Sequence, residues 1–428
     1  MKPSKISGTV FGDSSQNGKA SQITEDINRR TFLTASIGGV SVGLGGCLGS
    51  RDRSLPSTPS GSWRQYMRDK GNTGATGVTA PPRGNLAWTS DAFTRWLPVV
   101  ADGEVYIGNV DPNPGPKIVG LDATDGSERW SVSIEEAYHY TSTVIGELLV
   151  AAYGEKVISL DRKSGEQEWT ATLSGTVSRT EMTAVSAETL VLVPEDSRQD
   201  AALTAFDAAT GVQQWSTPLA GHTVDAPAVQ GNSAFVASES ELYHLNIEDG
   251  SMVWGQSVEN VALGPRPTAE GIVVAANGAL TVHDADTGER LQTLDNYNGE
   301  AYGIALADGT VYWLTSESLA AISIEDGTEE WRLEAQGCQE GLCVGQDTIV
   351  APVQYEEFEL ETTWPTIAAF DRETGDVRWY YHIDGFDMVF TSPPVLVDGA
   401  VYFTANTIDS VGVLGDIPPE GDSGLFEG

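Results

Sequence analysis

The chain has 428 residues, 24 Lys and Arg against 61 Asp and Glu, and a formal net charge of −37. So acidic a surface repels phosphate backbones and excludes nucleic acid as a partner. A hydrophobic content of 40 % is enough to build a core, so the acidity does not signal disorder. Only seven of the 24 cations are lysine. Surplus acid with few lysines suits a surface kept hydrated in concentrated salt, where screening relieves self-repulsion, and we read a halophilic, archaeal protein.

In chain order, residues 28–34 read NRRTFLT and 35–46 read ASIGGVSVGLGG. Twin arginines, Arg29 and Arg30, before a weakly apolar glycine-rich stretch form a Tat export signal, too short to remain as a membrane span. The stretch ends LGGC, similar to a lipobox, which makes Cys47 the expected lipidated first residue; the alternative is a plain cleaved signal with an incidental cysteine. Residues 1–46 are therefore a signal peptide and 47–62, rich in Ser, Pro and Gly, a flexible linker. The chain should lie lipid-anchored on the outer face of the cytoplasmic membrane. The remainder, 63–428, forms one domain.

That domain repeats a nine-residue phrase. It reads DATDGSERW at 122–130, DRKSGEQEW at 161–169, DAATGVQQW at 207–215, NIEDGSMVW at 246–254, DADTGERLQ at 284–292, SIEDGTEEW at 323–331 and DRETGDVRW at 371–379. A degenerate copy, GNLAW, sets Gly84 before Trp88. The final positions are Trp88, Trp130, Trp169, Trp215, Trp254, Gln292, Trp331 and Trp379, spaced 42, 39, 46, 39, 38, 39 and 48 residues apart. A period near forty means stacked structural units. Within each unit, four short runs rich in Val, Ile, Leu and Thr predict four antiparallel strands. The D-x-x-x-G phrase predicts a hairpin in which Asp accepts turn N–H groups and Gly supplies a positive φ. The Trp that follows is expected to wedge between neighbouring sheets.

Four-stranded sheets around an axis make a propeller. Residues 391–415 begin a blade that lacks a closing phrase, and 86–90 is a strand without a blade. The reading is therefore all-β, an eight-bladed propeller whose last blade is closed by an N-terminal strand. Such a ring leaves no open edge, and a monomer is expected.

The repeated phrase resembles that of pyrroloquinoline-quinone (PQQ)-type propellers, a superfamily of quinoprotein alcohol dehydrogenases and non-catalytic, BamB-like envelope lipoproteins. The opening WRQYMRDKGNTGATG at 63–77 is similar to the lead-in of the lipoprotein branch. The resemblance implies fold, while chemistry must be argued from the site. The dehydrogenases need a Ca²⁺ held by acidic and amide side chains, an Asp base, a stacking Trp and adjacent cysteines. No cysteines are adjacent here, so neither PQQ nor Ca²⁺ is expected. The five histidines show no metal-binding spacing, and no metal or catalytic residue is assigned.

Loops joining one blade's outer strand to the next blade's inner strand should form the channel mouth. They contribute Arg95, Trp96, His139, Tyr140, Arg179, Glu181, His222, Asp225, Arg266 and Asp387. The three arginines suggest a receiver for a carboxylate or acidic peptide; the alternative is a merely wetted polar rim. The loop 354–365 carries Tyr355, Phe358 and Trp364 among four glutamates. Its aromatics favour a covering partner protein or neighbouring loop, while the glutamates are either a solvated face or a shared Ca²⁺ site. Cys338 and Cys343 are either a loop disulfide or, for Cys343, a buried inner-strand thiol.

The resulting expectation is a non-enzymatic surface scaffold binding envelope proteins or peptides. The rival is a PQQ- and Ca²⁺-dependent dehydrogenase, or a propeller binding carbohydrate or peptide. Barrel assembly itself does not carry over to an archaeon, which has no outer membrane.

Overall fold

The computed structural model describes residues 41–42 and 53–418, apart from 91, 93, 95, 110–114, 136–138, 178–180, 186–189, 197–199, 339–340, 356–365, 383–390 and 406–409. Among these there is no helix, hence none long and apolar enough to cross a membrane.

Eight sheets form the blades of a propeller, antiparallel throughout except that Ser41–Val42 runs parallel to the outer strand of blade 7. Blade 2 is typical. Its strands are Tyr140–Ile145, Leu148–Tyr153, Lys156–Asp161 and Gln167–Thr172, paired in that order from the innermost outward. Inner and middle strands are buried on both faces because each blade is sandwiched between two others; outer strands alternate, as in Gln167–Thr172. In the eighth sheet, Val395–Val397, Ala400–Ala405 and Ser410–Gly415 are followed by Asn85–Thr89, with Asn85 opposite Gly415.

The repeated phrase is the joint between blades. Every phrase glycine from Gly126 to Gly375 has a positive φ, between 70° and 77°. In most copies a Cβ there would strike the Trp of the preceding blade, at 2.4 Å for Gly211 against Trp169 and 2.5 Å for Gly250 against Trp215. Five of the indoles also donate to a carbonyl in the next phrase: Trp130 to Arg162, Trp169 to Ala208, Trp215 to Ile247, Trp254 to Ala285 and Trp331 to Arg372, at 2.9–3.2 Å. Glycine therefore meets two demands, a left-handed turn and a flat seat for an indole. Gln292, in the copy without Trp, keeps half the joint: its Nε2 donates to Ile324 O at 2.6 Å. Trp379 docks on the N-terminal segment, donating to Pro81 O at 2.7 Å with its ring against Gly84. The Ala123 carbonyl accepts from the Tyr402 hydroxyl instead of from Trp88.

Two phrases begin Asp-Arg, and both arginines reach back to the preceding blade. Arg162 pairs with Asp102 at 2.9 Å and with buried Glu104, which also accepts from Tyr106. Arg372 pairs with Asp308 at 2.6 Å and donates to the Tyr312 hydroxyl. Burial pushes the Tyr106 phenol up, reinforced by the Glu104 carboxylate.

The linker expected at 47–62 is packed from residue 53 onward. Leu55 is 4 % exposed, seated against Gly415, and its N–H donates to Thr124 O. The Thr58 hydroxyl meets that of Thr124, and Ser60 donates to Asp398. Composition predicted flexibility, but one apolar side chain and several turn acceptors suffice to hold the strap.

Candidate functional site

Beyond the strap, residues 62–79 pass into the channel and out again, touching all eight blades. Ser62–Trp63 pairs with Val100 and Ala101 of blade 1. Arg64 O accepts from Val144 N of blade 2, and Gln65 Oε1 from Ala184 N of blade 3. Asn72 Nδ2 donates to Ala226 O of blade 4, while Arg266 of blade 5 lies over the Tyr66 ring, 5.8 Å from its centroid. Thr73, Gly74 and Thr79 offer carbonyls to Leu306, Val344 and Gly399 of blades 6, 7 and 8. The segment is doubled over at Gly74, where a Cβ would strike the Met67 methyl at 2.3 Å. The bore is thus filled by the protein's own chain, because the inner strands' spare N–H and C=O groups need partners.

Above this plug remains a cup of about 330 Å³, lined by Tyr66, Trp96, Leu97, His139, Glu181, Val224, Asp225, Leu263, Thr391, Ser392 and Pro393. Of the residues expected at the mouth, the fold brings Trp96, His139, Glu181 and Asp225 together here. Trp96 stands edge-on to His139, with ring centroids 6.2 Å apart. The Thr141 hydroxyl donates to the Glu181 carboxylate and accepts from Met182 N.

Several expectations need correcting. Tyr140 is fully buried in the inner strand of blade 2, packed on Gly108 and Trp96, so it supports the cup without lining it. His222 stands beside the blade 4 turn, its carbonyl accepting from Glu239 N, outside the cup lining. Arg266 is no receiver for an anion. It is 1 % exposed and bonded to Asp225 Oδ2 at 2.9 Å, with Nη1 donating to Pro265 O. Burial works against its charge, and the Asp225 carboxylate more than offsets that, so the guanidinium stays protonated. Arg95, Arg179, Asp387, Phe358 and Trp364 lie outside the described residues. Tyr355 is described and packs edge-on to Phe370, 6.4 Å between centroids.

Cys338 and Cys343 are free thiols, not a disulfide. The Cys338 thiol donates to Gln336 O at 3.6 Å, while Cys343 is fully buried on the inner strand of blade 7, opposite Val350. Burial pushes the Cys338 thiol up to about 12, so neither sulfur is a ready nucleophile.

Sequence reasoning missed Tyr66, along with Leu97, Val224, Leu263 and the Thr391–Pro393 run that complete the lining; Tyr66 is the one of these that comes from outside the blades. It sits in a segment with no repeat phrase, read only as a lead-in.

Does the cup suit a calcium-bound quinone? Calcium takes six to eight oxygen ligands. The Asp225 oxygens already accept from Ala226 N, Gly264 N and Arg266. Among the described residues no group of three or more His, Cys, Asp or Glu could hold a metal ion. The described lining does not fit such a group.

An eight-bladed ring of Gly–Trp joints around a plugged axis defines the class, a PQQ-type (quinoprotein-like) propeller. The family described as outer membrane protein assembly factor BamB matches at 74–199, 118–260, 199–331 and 256–413. The chain belongs to this family. No curated protein matches it significantly. Among solved structures it is similar to the quinohemoprotein alcohol dehydrogenase from Comamonas testosteroni, at 12 % identity and TM-score 0.63, covering 86 % of this chain and 82 % of that one. The enzyme ADHIIG from Pseudomonas putida HK5 is similar at 13 % identity and TM-score 0.61, with the same coverage. BamB from Moraxella catarrhalis matches at 12 % identity and TM-score 0.47, covering 84 % and 99 %. Identities this low show the fold alone.

Proposed function

We propose that this protein is a Tat-exported lipoprotein of a halophilic archaeon, anchored through Cys47, that binds envelope proteins or peptides and performs no catalysis. The observation that carries the reading is the axial plug. The space on the axis is taken by residues 62–79, and the Asp225 carboxylate at its edge is spent on Arg266. What remains is a shallow cup with aromatic walls, a surface suited to grip a protruding side chain or peptide end. Membership of the BamB family supports a binding role.

The test is photo-crosslinking in intact cells, with a photoreactive phenylalanine replacing Trp96 in the cup or Asp326 on the opposite face. Discrete protein adducts from position 96 and none from position 326 are expected. Absence of adducts from position 96, with the protein folded and exported, would overturn the reading.

A further inference from the structure

The structure fixes the face on which the chain leaves the propeller. The strap 53–60 crosses the face made by the turns between first and second strands and between third and fourth strands. Arg53 donates to Pro418 O at 2.6 Å, Leu55 N to Thr124 O, and Ser60 to Asp398, all at turns or strand ends of blades 8 and 1 on that side. The cup, with Trp96, His139 and Glu181, opens on the other face.

Five residues lie between Cys47 and Arg53. Fully extended, the six steps from one to the other reach roughly 21 Å. A blade of six-residue strands is itself about 20 Å tall before its loops are added. A tether that short, starting at the turn face, cannot bring the cup to the lipid.

We infer that the turn face is the membrane-facing surface and that the cup is held outward, away from the bilayer. This rests on the lipid-anchored reading above. Its consequence is a partner class: proteins of the cell wall or secreted proteins arriving from outside, rather than segments embedded in the membrane.

The inward face is also acidic. Each of six phrases places an exposed carboxylate there, Asp125, Glu166, Asp249, Asp286, Asp326 and Glu373. Against anionic lipid these repel. The Debye length is about 10 Å at 0.1 M salt and ~3 Å at 1 M, so concentrated salt lets the face settle and dilute salt lifts it to the length of the tether.

The test uses the mature chain with Cys338→Ser, so that Cys47 is the accessible thiol, coupled to maleimide-headgroup lipid in vesicles. A fluorophore is placed through an unnatural amino acid at Asp326 on the turn face or at Glu239 on the cup face, with nitroxide-headgroup lipid as quencher. Quenching at 326 should exceed that at 239 by roughly threefold, given their separation by about one strand length. On anionic vesicles it should fall in dilute salt; on neutral vesicles it should not. Inserting thirty Gly/Ser residues after position 52 should abolish the bias. Equal quenching at both sites, or more at 239, overturns the inference. Mass spectrometry of the Cys47 peptide from cells tests the anchor separately: an unlipidated peptide sinks the anchored reading while leaving the coupled geometry intact.

Discussion

Substituting alanine for Gly211 separates the two demands placed on a phrase glycine. Its φ is +70°, and a Cβ would lie 2.4 Å from Cε3 of Trp169, whose indole N–H donates to Ala208 O at 2.9 Å. Gly309 has a similar φ of +80° but nothing within 4 Å of its Cβ position. Gly309→Ala therefore carries only the left-handed backbone cost, about 1–2 kcal/mol. Gly211→Ala adds overpacking against a buried indole, about 1–3 kcal/mol more. At roughly 2 °C per kcal/mol for a chain this large, Gly211→Ala should melt about 2–6 °C below Gly309→Ala. The assay is thermal melting in concentrated KCl, followed by near-ultraviolet circular dichroism. In a Trp169→Ala background the excess should vanish, because the clash has lost its second partner. Equal losses for the two variants, or an excess that survives Trp169→Ala, would refute the claim that the glycine is a seat for the indole.

Trp169→Ala should itself cost about 3–5 kcal/mol, against about 1 kcal/mol for Gln292→Ala, which loses a hydrogen bond and little packing; equilibrium unfolding ranks the two. Asp225→Ala should destabilise by about 3–5 kcal/mol by stranding a buried guanidinium, whereas Asp225→Leu with Arg266→Met should recover part of that loss and stay below wild type, because Leu cannot accept the Ala226 and Gly264 N–H groups. Acid should act in two stages, read as melting temperature against pH. Burial holds His283 and His244 below the usual imidazole range, so their contribution is complete above about pH 6.5 and lost as pH falls below it. Hydroxyl and backbone donors from Ser164 and Thr287 hold Asp161 and Asp284 below the usual carboxylate range. Their contribution is complete above about pH 4 and lost below it. His283→Gln should shrink the first stage and leave the second.

The phrase made the blade number legible, because a joint used eight times leaves eight marks. Even the odd copy was readable in hindsight, since Gln292 retains the N–H that the indole would supply. The plug was not legible. Its role is played by main-chain carbonyls, by Asn72 and Gln65, and by the doubling at Gly74, none of which leaves a periodic signal. For the same reason the strap 53–60 read as linker. The mouth residues were located by loop counting, which gives height along the axis but not direction. Loop counting therefore could not separate Arg266, turned inward onto Asp225, from Trp96, turned into the cup. The free thiols likewise depend on which neighbour each sulfur faces, and spacing in the chain does not encode that.

The account turns on a cup, lined in part by Tyr66, over an axis occupied by residues 62–79. Calorimetric titration of PQQ with Ca²⁺ into the mature protein in high salt, followed by a dye-linked alcohol oxidation assay, tests it most directly. The account predicts no saturable heat and no alcohol-dependent dye reduction. One-to-one binding accompanied by turnover would contradict it and make the cup a cofactor site.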